Sequence, residues 1–179
     1  MPTDRPPDDA ADVLVTGYRP GAVEAFGMRL PPGAVHARVN AWGDDGPWAR
    51  RRGFDSIVQA ASGIAMVESP DGTRPGAMPA QALDHATGYL LAAGIVDALA
   101  ARAVDGRGRD VAVALARTAA WLLAAGSRDP AHPEPAAAPS GSTVSHGHGP
   151  VVTSARPALP GHADHTFPAH PWGTDPASW

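Results

Sequence analysis

Between residues 11 and 126 the apolar positions switch repeatedly between the two-residue period of a strand and the longer period of a helix. The run Asp12-Val13-Leu14-Val15-Thr16, ended by Gly17, predicts a strand. After the Pro20-Gly21 break, Ala22 to Phe26 predicts one or two helical turns. Val35 to Trp42 alternates apolar and polar residues, as a half-buried strand does, and Gly43-Asp44-Asp45-Gly46-Pro47 turns the chain behind it. Phe54, Ile57, Val58 and Ala61 have helical spacing, closed by Gly63. The longest element starts near Asp84, where Leu83, Thr87, Leu90, Leu91, Gly94, Ile95, Ala98 and Leu99 form one amphipathic stripe. Asp105-Gly106-Arg107-Gly108 ends it, because two glycines let the backbone turn back. Asp110 to Ala114 then reads as a strand and Leu115 to Ala125 as a helix. Strands and helices in this alternation pair in parallel, so the expected fold class is α/β.

Beyond Gly126 the periodicity lapses. Residues 127–179 hold ten of the 20 prolines and six of the eight histidines, with few large aliphatics. The expected organisation is therefore a flexible N-terminus (1–10), an α/β segment (11–126), a Pro/Ala/Gly-rich disordered linker (127–150) and an extended His/Pro-rich tail (151–179). A short strand is expected at Val151-Val152-Thr153.

Composition narrows the chemistry. The chain has no Cys, which excludes thiolate metal sites and cysteine nucleophiles, and its 14 basic residues are all Arg, which excludes lysine bases and Schiff bases. A net charge of −4 with a pI near 6.0 gives no global field for nucleic acid or an anionic membrane. The polar, acidic opening Met1 to Asp9 is unlike a signal peptide. Ala86 to Ala103, interrupted by Asp97 and Arg102, is expected to be too polar to span a bilayer. A soluble cytoplasmic protein without nucleic-acid or membrane partners is the expectation.

Asp84 is the carboxylate of most interest. A helix-start Asp is commonly an N-cap, and the same position next to the helix dipole also suits an ionised nucleophile. His85 reads either as a surface residue or as a proton carrier. Arg50-Arg51-Arg52 reads either as a solvated run or as a phosphate contact. His146-Gly147-His148 and His162-Ala163-Asp164-His165 have loose metal spacing in a tail expected to be flexible, and no metal site is assigned. No P-loop, Gly-x-Ser-x-Gly or dinucleotide fingerprint is present.

Five stretches in order resemble the class III CoA-transferases (CaiB/BaiF type), the family of formyl-CoA and carnitinyl-CoA transferases. They are Ala11-Asp12-Val13-Leu14-Val15-Thr16-Gly17-Tyr18-Arg19-Pro20-Gly21, Val39 to Trp48 with its Gly43-Asp44-Asp45-Gly46-Pro47, and Gly53-Phe54-Asp55-Ser56-Ile57-Val58-Gln59-Ala60-Ala61-Ser62-Gly63. Leu83-Asp84-His85-Ala86-Thr87-Gly88 and Gly106-Arg107-Gly108-Arg109-Asp110-Val111 complete the set. The resemblance implies part of a Rossmann-like large domain with Asp84 as catalytic nucleophile. Asp55 would assist the transfer, and Tyr18, Arg52 and Phe54 would lie at the coenzyme A side of the site.

It also implies acyl-CoA and a carboxylic acid as substrates, with no permanently bound cofactor. The family forms interlocked dimers, so a homodimer or a complex with a complementary CoA-transferase chain is expected. Thr16-Gly17 stands where the family carries Glu-Asn, and family members are longer, with an opening strand and a second domain that have no counterpart here. Pro171 to Trp179 resembles the end of some long relatives, which implies an internally shortened member. An inactive remnant or accessory subunit is the alternative function. A 2-methylacyl-CoA racemase stands third, because Phe54 occupies the position of its proton-carrying histidine.

Overall fold

The computed structural model describes residues 11–18, 21–25, 27, 30–126, 141–147, 151–157, 159–165 and 173. They fall into two units, one within residues 11–126 and one within 141–173. The expected flexible N-terminus and most of the expected linker lie outside the described residues.

The first unit holds β1 (Val13–Thr16), α1 (Ala22–Ala25), β2 (Val35–Asn40), α2 (Asp55–Ser62), α3 (Ile64–Val67), α4 (Ala82–Asp105), β3 (Arg109–Ala114) and α5 (Leu115–Ala124). The strands form one sheet in the order β1-β2-β3, and both pairings are parallel as the α/β alternation predicts. Val35 stands opposite Val13 on one side and Arg109 on the other. Side chains alternate across a strand, so Val35, Ala37, Val39 and Val111 share one face, and His36, Arg38 and Asp110 share the other. α4 lies on the first face. A Cβ built on Gly94 would stand only 2.7 Å from Val111 Cγ1, so glycine permits this close helix-sheet approach. On the second face, Thr16 Oγ1 is 3.1 Å from His36 Nε2, and His36 Nδ1 is 3.5 Å from Asp110 Oδ1. That polar row crosses all three strands.

α4 ends at Gly106, whose positive φ of 70° supplies the left-handed residue that lets its N–H return to the Arg102 carbonyl at 2.7 Å. Arg102 also pairs with Asp12 at 2.8 Å, fixing the last turn of α4 beside the start of β1. Gly63, with φ 90°, closes α2 and opens α3, a four-residue helix without a periodic signal of its own.

The apolar core gathers Ala41, Val58, Ile64, Leu83, Leu115 and Ala119, with Trp42 and Met78 packed against it. These residues come from the C-terminal end of β2, from α2 and α3, and from the first turns of α4 and α5. This cluster therefore lies beyond the carboxyl ends of the strands, whereas Val35 and Ala37 are buried within the sheet itself. The N–H of Ala116 donates to the Ala41 carbonyl at 2.9 Å, and the Thr87 and Thr118 hydroxyls share a 2.7 Å hydrogen bond between α4 and α5.

Two expectations need correction. Periodicity puts Leu90 on the inner stripe of α4, yet it is exposed together with Tyr89, Val96 and Val104. Three strands are too few to cover so long a helix. That helix also has 24 residues and a mean hydropathy of 1.4 over its most apolar stretch, so by length and composition it is apolar enough to cross a membrane. In the structure Leu83, Thr87, Leu91 and Ala98 are buried against the rest of the unit.

The second unit contains β4 (Thr143–Gly147) and β5 (Val151–Ala155), paired antiparallel as a hairpin. The strand expected at Val151-Val152-Thr153 is present and longer, and its partner β4 falls inside the stretch expected to be linker. Arg156 donates to the Ala163 carbonyl at 2.8 Å, and His165 Nε2 lies 2.9 Å from the Ala155 carbonyl oxygen.

Two glycines of α4 give opposite expectations. A Cβ on Gly88 would meet nothing within 4 Å, so Gly88→Ala should stabilise the chain by about 0.5–1 kcal/mol through helix propensity. Gly94→Ala should instead lower stability by about 1 kcal/mol net, because the clash with Val111 outweighs the same propensity gain. Urea unfolding of the two variants checks both signs.

Candidate functional site

The topology brings the candidate residues to one edge of the sheet. In parallel α/β sheets the carboxyl ends of the strands face ligand sites. Tyr18 follows the end of β1, and the loop carrying Arg52 and Phe54 follows the end of β2. The C-terminus of α4 feeds the start of β3, so α4 runs antiparallel to the strands and its first turn reaches the same carboxyl edge. A 24-residue helix is about 36 Å long against about 20 Å for a six-residue strand, so that first turn projects past the sheet.

Asp84 is the third residue of α4, not its cap. The N-cap is Gln81, which makes no side-chain capping bond. The orphan backbone N–H of Asp84 donates instead to Asp55 Oδ2 at 2.9 Å. The cap that a local reading assigns to Asp84 is thus supplied from α2, 29 residues away. Asp55 opens α2, is fully buried, and receives a second hydrogen bond at Oδ1 from Gln59 Nε2. The other end of the Gln59 amide accepts the Met78 N–H at 3.0 Å. Four groups therefore form one line: Met78 N–H, Gln59, Asp55 and the Asp84 N–H.

This arrangement changes the electrostatics expected of Asp84. The helix dipole favours its ionised form, but partial desolvation and then the negative charge of Asp55 push its carboxyl above the ordinary aspartate range. His85 acts in the opposite direction. The Asp84 side chain remains on the exposed side of α4, and so does His85. A carboxylate that is reachable and incompletely hydrated is chemically suited to attack a carbonyl carbon.

The structure brings Asp55 and Asp84 together. Phe54 is joined to them through the backbone, precedes α2 in extended geometry and is 72% exposed. Arg52 is exposed, and its carbonyl oxygen accepts the Trp42 indole N–H at 3.2 Å. Trp42 meets Trp48 edge to face at 4.7 Å, and the Arg51 guanidinium lies 5.0 Å from the centre of the Trp48 ring. Of the three consecutive arginines, Arg51 is thus held against an aromatic ring. Tyr18 is exposed at the end of β1, on the same edge of the sheet.

Sequence reasoning missed Gln59. The available signal was its spacing from Asp55, because residues four apart share one helix face. Both line a cavity of about 390 Å³ with Met78, Gln81, Ala65 and Pro75, within the range of small-ligand pockets. The segment entering that cavity is tied back at Gly76, whose N–H donates to the Ala65 carbonyl at 2.7 Å.

A short parallel sheet with a carboxylate-bearing helix start at its carboxyl edge defines an α/β unit of the CaiB/BaiF fold. The chain belongs to CoA-transferase family III, whose profile matches residues 9–151. It is 34% identical over 123 residues to a probable fatty acyl-CoA transferase of Mycobacterium tuberculosis, covering 65% of this chain and 31% of that protein. It is 33% identical over 113 residues to the alpha subunit of a succinyl-CoA–L-malate CoA-transferase of Chloroflexus aurantiacus, covering 59% of this chain and 26% of the relative. A solved CaiB/BaiF family protein from Brucella suis superposes with a TM-score of 0.61 at 25% identity, covering 65% of this chain and 32% of that one. The chain thus spans about a third or less of the length of these relatives.

The raised proton affinity of Asp84 has a definite sign in stability. The folded state holds this proton more tightly than the unfolded state, so the residue's contribution falls as pH rises from the ordinary aspartate value through the raised one. Asp84→Asn should therefore stabilise the chain more at pH 7 than at pH 3. Urea midpoints at the two pH values test this, and equal midpoint shifts would sink it.

Proposed function

We propose that this chain is the nucleophile-bearing segment of a CoA-transferase, moving coenzyme A between an acyl-CoA donor and a carboxylic acid. The observation that carries this reading is Asp84, accessible and incompletely hydrated at the carboxyl edge, with its amide anchored by Asp55. Family membership supports the substrate class.

In the proposed reaction the Asp84 carboxylate attacks the thioester carbonyl, the C–S bond breaks, and coenzyme A leaves as thiolate. The product is a mixed anhydride between the acyl group and Asp84. The thiolate then attacks the aspartyl carbonyl, releasing the donor acid and leaving coenzyme A as an aspartyl thioester. The acceptor carboxylate attacks that thioester, forming a second anhydride and freeing the thiolate again. Attack of the thiolate on the new acyl carbonyl yields the product thioester and regenerates Asp84. Each step exchanges one acyl bond for another, so no oxidant, metal or permanent cofactor enters the balance.

In the same reading Asp55 assists by holding Asp84 in place. Arg52 meets a phosphate of coenzyme A, while Tyr18 and Phe54 give it apolar contact. A racemase is disfavoured, because Phe54 carries no proton to move.

A second reading, an accessory subunit without turnover of its own, draws on the exposed apolar residues Tyr89, Val96 and Val104 along α4. Both readings call for a second copy or a complementary chain, acting in the cytoplasm.

Two measurements separate these readings. Calorimetric titration with coenzyme A and acetyl-CoA should give saturable binding, weakened about tenfold by Arg52→Ala through loss of a charge-assisted contact. Incubation with acetyl-CoA followed by hydroxylamine should leave a hydroxamate at Asp84, detected by peptide mass. Asp84→Asn should reduce that labelling by roughly a thousandfold. Saturable binding with no label would select the accessory subunit.

A further inference from the structure

We propose that Gln59 is a positioning residue: its side-chain amide holds the buried Asp55 carboxylate in the orientation that receives the Asp84 N–H, and so fixes where the Asp84 side chain stands. The proposal deepens the transferase reading of this site and takes its importance from that reading.

The geometry carries it. Asp55 has two carboxylate oxygens and each has one described donor, Gln59 at Oδ1 and the Asp84 amide at Oδ2. Rotation of the carboxylate out of this plane would break both bonds at once. Gln59 is itself 5% exposed, and its other end is occupied by the Met78 N–H. It therefore cannot swing away without leaving a half-buried backbone donor unpaired. Only an amide fits both neighbours, since it must donate toward Asp55 and accept from Met78. A glutamate would set a second negative charge against Asp55, and a leucine would satisfy neither partner. Gln59 and Asp55 are both fixed on α2, whereas Met78 lies on the segment that leads into α4 and Asp84 in its first turn. The amide is thus the point at which α2 aligns the incoming helix.

Gln59→Met keeps the side-chain volume and removes both hydrogen bonds. In the folded variant, amide hydrogen exchange should accelerate about tenfold at both Met78 and Asp84, while Leu91 and Ala98 in the middle of α4 keep their rates. The charged groups facing Asp84 are Asp55 from α2 and His85 on its own helix. Without its Gln59 donor the Asp55 carboxylate is no longer held against the Asp84 amide, and its charge bears less on Asp84. The carboxyl carbon of Asp84, followed by NMR, should therefore titrate at lower pH than in the parent chain. A Gln59 that only tethers the 75–81 segment would change exchange at Met78 alone, and unchanged behaviour of Asp84 overturns the proposal.

The double variant Asp55→Asn with Gln59→Glu exchanges the two roles. The amide introduced at position 55 then donates to the carboxylate introduced at position 59 and accepts from the Asp84 N–H. That carboxylate still accepts from Met78. The double variant should restore slow exchange at Asp84 even if Gln59→Met does not fold, and a double variant that is unfolded or unprotected at Asp84 overturns the pairing. Exchange and titration need no acyl-CoA. An absence of hydroxamate at Asp84 would remove the transferase reading and leave the Gln59 result standing.

Discussion

A carboxylate taken fully out of water is tolerated only where donors replace its hydration, and Asp55 finds two of them on different parts of the chain. One comes from its own helix and one from the first turn of α4. The charge therefore cannot stay buried unless α2 and α4 keep their mutual placement. Leu83, fully buried beside Asp84, and Val58, fully buried one turn along α2 from Asp55, add apolar contact at the same junction. Charge and core thus hold one joint, and the candidate nucleophile stands directly on it. The same charge makes Asp84 harder to ionise, so the group that places the carboxylate also tunes it.

The long-range order of the unit is legible in the sequence because each major element carries its own period. Val35 to Asn40 alternates, Leu83 to Leu99 repeats at helical spacing, and the glycines at 63 and 106 stand where a left-handed residue ends a helix. Parallel pairing follows from the order of these elements. The site is legible only in part. Asp84 and Asp55 stand out, but a local reading makes a helix-start aspartate its own cap, and nothing local reveals a cap delivered from 29 residues away. Gln59 has the spacing to be noticed, yet only the packing shows which face of α2 looks toward α4. Leu90 misleads for a related reason: periodicity marks a stripe without saying how much sheet exists to cover it. β4 is hidden by the Pro- and Gly-rich composition around it.

The sheet explains why so apolar a helix carries so little cover. β2 is the middle strand of this sheet, with neighbours on both sides, and its Val35 and Ala37 have no exposed surface. β1 is an edge strand, and Val15 on it is largely open. α4 docks through Gly94 onto Val111 and leaves Tyr89, Val96 and Val104 facing outward. Its composition alone matches a membrane-crossing segment, whereas its buried residues belong to a helix packed in an α/β layer.

The hydrogen bond from Asp84 to Asp55 also closes a ring of chain, and the stretch between its ends is pinned again at Gly76 and Met78. Closure entropy rises only slowly with loop length. The exposed turn at residues 70–74, organised around Asp71, therefore lies outside the pinned positions. Insertions there would fall between the pins at Ala65 and Gly76 and leave the carboxylates in place. The turn can thus take up changes in length that the joint aiming the carboxylate does not feel.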